Sequence, residues 1–200
     1  MSRPPYLCLI AGLLLAAPAF SQWRTANVDG IVESGEYGNT ANGTNQIGTN
    51  TSQTWYMTWD STNLYVGITN ANLSEAAVIY IGAGGSGTTT GENYDGTSFS
   101  SLPFQAQFVT YFKDGYNEYR KSSGGAWSGP TSNAETYASN SSSGPNTREI
   151  AIPWSAVTGG GIPSQFNFFG YLTSSGGYVY GQVPNDNTGA FIGTGAQYTQ

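Results

Sequence analysis

Beyond residue 21 the chain is a succession of short runs rich in Val, Ile, Tyr, Phe and Thr, broken by Gly, Ser, Asn and Asp clusters. The breaks come at the spacing of roughly 8–12 residues typical of sandwiches and barrels. A helix would need apolar residues returning every three to four positions over a longer stretch, and that pattern is almost absent. Thr54 to Trp59 alternates, with Trp55, Met57 and Trp59 on one face. Asp60-Ser61-Thr62-Asn63 is turn chemistry, because Asp and Asn side chains bond their own backbone. Leu64 to Thr69 then sets Leu64, Val66 and Ile68 on one face, completing a hairpin. Further strands are predicted over 76–81, 104–112 (with Phe104, Ala106, Phe108 and Phe112 in step), 116–120 and 148–152. A final hairpin joins 166–172 to 178–183, and Trp154 to Val157 forms one helical turn. Residues 122–144 read as a loop or a weak edge. The expected fold is all-β, an antiparallel β-sandwich of jelly-roll-like form with almost no helix.

The first 21 residues are read apart from this fold as a secretory signal peptide. Arg3 gives the positive start, Tyr6 to Ala17 a short apolar run, and Ala19-Phe20-Ser21 the small residues of a cleavage site. The run is about 12 residues, short of the roughly 20 a membrane span needs. Residues 22–200 are expected to form a single domain, as an excerpt of a longer secreted protein. Cys8 is the only cysteine and leaves with the signal, so the mature chain makes no disulfide and depends on its core.

Charge narrows the function. Charged residues are 9% of the chain, against about 25% in an average domain. The formal net charge is −6, which excludes a nucleic-acid surface. The sequence has no His, so the commonest general base and transition-metal ligand are missing. No Gly-x-Ser-x-Gly elbow, phosphate loop or marked carboxylate pair occurs. The chain is therefore read as a non-enzyme.

Three motifs occur in order: Val28-Asp29-Gly30 with Gly35-Glu36-Tyr37, then Trp59-Asp60-x-x-x-Leu64-Tyr65-Val66, then Arg148-Glu149-Ile150-Ala151-Ile152-Pro153-Trp154-Ser155-Ala156. Ile79-Tyr80-Ile81 and the Lys113-Asp114-Gly115 turn fit between them. Over residues 26–183 this series resembles the family 9 carbohydrate-binding modules and their DOMON-like relatives. The resemblance implies a β-sandwich, an extracellular location and non-catalytic binding of a polysaccharide or oligosaccharide. It also implies a polysaccharide-degrading catalytic domain as a neighbour in a longer chain. Some DOMON-like relatives hold haem through His and Met; with Met57 alone in the mature chain, that pair cannot form. No cofactor is required on this reading.

A sugar presents C–H groups to an aromatic face and hydroxyls to polar groups at its rim. Trp55, Trp59 and Trp154 lie on apolar faces and read as core. Trp127, in a Gly/Ser loop, is the candidate platform. Tyr178, Tyr180 and Gln182 share one strand face by the two-residue period, and Asn185-Asp186-Asn187 follow. These four, Trp127, Tyr178, Tyr180 and Gln182, are the expected ligand-binding residues. Asp29, Glu33 and Glu36 are candidate ligands for Ca²⁺, which takes carboxylate and carbonyl oxygens; the competing reading is that Asp29 bonds the turn around Gly30. Glu118 and Arg120 read as a same-face surface pair. The rival to sugar binding is a structural or adhesion module of a cell-surface or matrix protein.

Overall fold

In the computed structural model, the described residues are 23–38, 45–50, 52–96, 101–132, 135–142, 144–174, 176–184 and 196–199. Residues 1–21, read above as a signal peptide, and Asn185-Asp186-Asn187 lie outside them. The described residues form two antiparallel sheets packed face to face, an all-β sandwich. The first sheet contains β1 (Gln46–Asn50), β2 (Gln53–Trp59), β3 (Asn63–Thr69), β8 (Thr136–Asn140) and β9 (Thr147–Pro153), in the order β1-β2-β3-β9-β8. The second runs β11-β10-β4-β5-β6-β7, built from β4 (Ala76–Gly82), β5 (Phe108–Lys113), β6 (Tyr116–Lys121), β7 (Thr131–Ser132), β10 (Gln165–Ser174) and β11 (Tyr178–Val183). β12 (Ala196–Thr199) pairs with the start of β10, below the part taken by β11. Among the described residues the only helix is α1 (Trp154–Thr158), the single turn expected after Pro153. No helix among them is long and apolar enough to cross a membrane.

The expected β2–β3 hairpin forms, with Trp55 opposite Ile68, Met57 opposite Val66 and Trp59 opposite Leu64. Asp60 closes it by accepting from the amides of Thr62 and Asn63 at 2.7 and 2.8 Å. Trp55, Met57, Leu64, Ile79, Phe108 and Phe112 meet between the sheets, all fully buried. Trp154 is buried there too, its indole N–H donating to the Asp60 carbonyl at 2.9 Å. Trp23 stacks on Trp59 at 3.4 Å and plugs one end of this core.

Each sheet also carries a layer on its outer face. Residues 26–37 cover the first sheet, burying Tyr37 against Tyr56 and Tyr65. The long connection between β4 and β5 covers the second, burying Tyr94, Leu102 and Ala106 against Val78, Tyr80 and Tyr171. This second cover explains why β4 is buried at every position and reads as an unbroken apolar run.

The cover corrects one expected strand. Phe104 and Ala106 belong to the outer layer, whereas Phe108 and Phe112 lie between the sheets, so β5 begins at Phe108. Gln107 makes the break. Its side chain accepts from the Ala83 amide at 2.8 Å and donates to the Gly85 carbonyl at 3.1 Å, which spends one residue on the crossing and reverses the face. The weak edge expected within 122–144 contains β7 and β8.

β9 pins both layers. Arg148 and Glu149 point to opposite faces by the strand period, and both are fully buried. The Arg148 guanidinium donates to the carbonyls of Glu75 at 2.8 Å, Phe112 at 3.3 Å and Asn72, and lies 5.9 Å from the Phe112 ring centre. It thereby fixes the 72–75 turn to the end of β5. On the other face Glu149 accepts from the amides of Gly30 at 2.8 Å and Asp29 at 3.2 Å, which clamps the N-terminal cover onto the sheet.

Candidate functional site

The β5–β6 hairpin turns at Asp114-Gly115 with Lys113 opposite Tyr116, Tyr111 opposite Glu118 and Val109 opposite Arg120. Cross-strand partners share a face, so Tyr111, Lys113, Tyr116, Glu118 and Arg120 gather on the outer face of the second sheet. The 83–106 cover stops short of them and brings Tyr94 and Asp95 alongside. A cleft of about 480 Å³ results, lined by all of these residues and Asn93. That volume is within the usual range for small-molecule sites.

Its wall is aromatic. Tyr94 stacks on Tyr111 with ring centres 4.9 Å apart, and Tyr116 meets Tyr111 edge-on at 6.0 Å. Tyr94 and Tyr111 are 5% and 6% exposed, while Tyr116 stands 42% exposed and supplies the open ring face. Arg120 lies over Tyr94 at 5.6 Å and Lys113 over Tyr111 at 5.7 Å, each cation facing the negative face of a ring.

The polar groups are paired across the cleft. Arg120 donates to Glu118 and to Glu92, both at 3.0 Å, so the same-face pair read from the sequence is present and extended by a third residue, but Glu118 is buried rather than at the surface. Tyr111 donates to both oxygens of Asp95 at 3.2 Å, and the Tyr116 hydroxyl donates to Glu118. Burial, then the negative charge of Asp95, pushes the Tyr111 hydroxyl far above its ordinary range. Hydrogen bonding to Glu118, then burial, raises that of Tyr116. Both phenols are therefore neutral donors at physiological pH. Asp95 takes a left-handed backbone at φ 52°, a conformation Asp tolerates better than most residues.

The structure does not gather the residues expected at the site into one pocket: Trp127 lies against the outer cover, and Tyr178 and Gln182 lie on β11. Trp127 is half-buried; its N–H donates to the Thr90 carbonyl at 2.9 Å, and its ring packs 5.8 Å from Tyr80. It lies against the outer cover and lines a separate cleft of about 380 Å³ with Gln107, Lys121 and Ser122. Tyr178 is 60% exposed at the start of β11. Position 180 pairs with Leu172; the Tyr180 side chain lies outside the described residues. Gln182 is fully buried. The two-residue period breaks before it, because Gly181 takes φ 62° and the register with β10 shifts between Leu172 and Gly170. This bulge turns Gln182 to the face opposite Tyr178, so the predicted row does not form.

Asp29 makes the turn bonds of its competing reading, accepting from the Ile31 amide at 2.9 Å and the Asn27 side chain at 2.8 Å. Glu36 accepts from the Asn27 amide at 3.0 Å and is pushed up by burial, with Asp29 and Glu33 adding to the effect. Glu33 is exposed. Among the described residues no three Asp, Glu, His or Cys side chains converge as a metal-binding group.

No family model matches the chain, and no curated protein matches it.

The cleft residues were legible in principle. Tyr116, Glu118 and Arg120 alternate, and the Asp114-Gly115 turn sets them opposite Lys113, Tyr111 and Val109. Tyr94 and Asp95 carry no such signal, since they come from the long β4–β5 connection.

Proposed function

We propose that the chain is a secreted, non-catalytic carbohydrate-binding module, of the family 9 and DOMON-like kind its motifs resemble, and that the tyrosine cleft on the second sheet is its binding site. The observation that carries the reading is the cleft's composition. An open Tyr116 ring backed by two packed tyrosines offers a face to sugar C–H groups. Asp95, Glu118, Asn93, Lys113 and Arg120 place acceptors and donors at its rim. The bonds of Asp95 to Tyr111, and of Glu118 to Tyr116 and Arg120, hold these groups in position before a ligand arrives, which lowers the ordering cost of binding.

The same pairing supports binding over catalysis. A glycosidase needs one protonated carboxylic acid and one ionised partner across the bond. Here Glu118 is held by Arg120 and Tyr116, and Asp95 by Tyr111, so both carboxylates are engaged in the cleft's own hydrogen bonds rather than left as a free pair facing across it.

Titration calorimetry over a panel of neutral and acidic glycans tests the proposal. Millimolar to micromolar binding is expected. Tyr116→Ala should weaken it about tenfold, ~1.4 kcal/mol, with the unfolding midpoint changed less than by truncating the buried Tyr94 or Tyr111, because Tyr116 is 42% exposed at the cleft's open side. Silence across the panel would refute the reading and leave the structural-module alternative.

A further inference from the structure

A second, smaller depression abuts the cleft. It measures about 250 Å³ and is more enclosed, and it shares Asp95 and Lys113 with the cleft. That volume holds roughly eight waters at ~30 Å³ each, the scale of one sugar ring. Its remaining lining comes from Ser74 and Glu75 in the turn before β4, from Ala76 at its first position, and from Thr173 and Ser174 at the end of β10. Thr173 pairs with Ala76 in register, so it lies at the end of the outward row Phe169, Tyr171, Thr173.

Two of these groups are costly to leave as they are. Thr173 is fully buried, and its hydroxyl has no hydrogen-bond partner among the described residues. The Glu75 Oε2 atom is likewise buried and unpartnered. A buried polar atom without a partner costs about 1–3 kcal/mol, so a wall of the pit carries hydrogen-bonding capacity the fold does not use. The groups are also rigidly placed. The Glu75 carbonyl is fixed by Arg148 at 2.8 Å, and the adjoining turn by the bond from Arg148 to the Asn72 carbonyl.

We propose that this pit is a second subsite, continuous with the tyrosine cleft, that takes the next unit of a neutral oligosaccharide. The inference rests on the cleft being the sugar site. The pit has no aromatic wall, so it contributes hydrogen bonds rather than stacking. Glu75 and Asp95 accept from hydroxyls, Lys113 donates, and Thr173 does either. That mixture fits a polyhydroxylated ring. The module thus reads chain length: one unit occupies the cleft, and the second adds the pit.

Calorimetry with glucose, xylose, galactose and mannose, and with their oligomers of two to four units, tests this on the whole secreted chain. Affinity is expected to rise at least tenfold from one unit to two for the matching sugar. Thr173→Val and Glu75→Gln should each remove most of that gain and leave single-unit affinity unchanged. Thr173→Val should also raise the unfolding midpoint by a few degrees, because it deletes an unpartnered buried hydroxyl. A lowered midpoint would show the hydroxyl to be structurally engaged and overturn the assignment. Binding that depends on Tyr116 but shows no length gain, or a gain that survives both pit variants, overturns the subsite and spares the cleft. Silence across the panel overturns the cleft reading and the subsite with it.

Discussion

Two carboxyl groups are buried away from the water that would ionise them, and the result should be a domain that loses stability as pH rises. Glu149 is fully buried under the N-terminal cover, and burial pushes it up to about 7 even though the Gly30 and Asp29 amides favour its charged form. Glu135, where the chain passes from β7 to β8, is 7% exposed and is raised by burial, with the charge of Glu118 adding, to about 7. In the unfolded chain both titrate near 4.5. Between pH 4.5 and about 7 the folded state therefore holds protons that the unfolded state has released. Stability from this source is complete below pH 4.5 and is lost as pH rises through about 7. Each group contributes a slope of up to ~1.4 kcal/mol per pH unit. Integrated over the window this is at most ~3 kcal/mol per carboxyl, and local relaxation brings the pair to a few kcal/mol together. Glu36 is raised as well and adds to the same trend. Asp60 is lowered by the amides of Asn63 and Thr62 and the hydroxyls of Thr25 and Tyr65, which outweigh its burial; its contribution is lost only in stronger acid. Urea unfolding at pH 4.5, 5.5, 6.5 and 7.5 measures the curve. Glu149→Gln retains an amide oxygen to accept from Gly30 and should remove about half the slope. Stability that is flat or rising across the window, or a slope that Glu149→Gln leaves intact, refutes the reasoning.

Two further substitutions test the clamps of β9. Arg148→Met strands the carbonyls of Asn72, Glu75 and Phe112 in a buried site and should cost about 3 kcal/mol or more by urea unfolding; Arg148→Lys should rescue little, since one ammonium cannot fork to three carbonyls. Gly30 has φ +90°, and an added Cβ would lie 2.8 Å from the Ser139 carbonyl carbon, so Gly30→Ala should destabilise by about 2–4 kcal/mol and expose residues 26–37 to protease first.

Local chemistry made most strands legible. The β2–β3 hairpin followed from an alternating pattern on both sides of an Asp-Ser-Thr-Asn turn, and the structure forms it, each strand starting one residue earlier than expected. Trp55, Trp59 and Trp154 sat on apolar faces and are buried. Sequence period failed where a single residue reverses a strand's face. Gln107 sends Phe104 and Phe108 to different layers through bonds to Ala83 and Gly85, which are remote in sequence. Gly181 does the same between Tyr178 and Gln182, through a bulge that only the pairing with β10 reveals. Trp127 looked like a platform because its neighbours are small and polar. Its actual neighbour, Tyr80, is 47 positions away in the chain, and its N–H is satisfied by Thr90. Half of the cleft was present in the alternation of 116–120, but its other half depends on where a long connection comes to rest.

The outward tyrosine cleft of the second sheet is the proposed seat of the glycan. The most direct measurement is an amide chemical-shift map of the ¹⁵N-labelled chain during titration with the tightest-binding glycan. Shifts are expected to concentrate at Tyr94, Asp95, Tyr111, Tyr116, Glu118 and Arg120, with Trp127 and Gln182 still. Shifts centred on Trp127 or on β11, with the cleft unmoved, would contradict it.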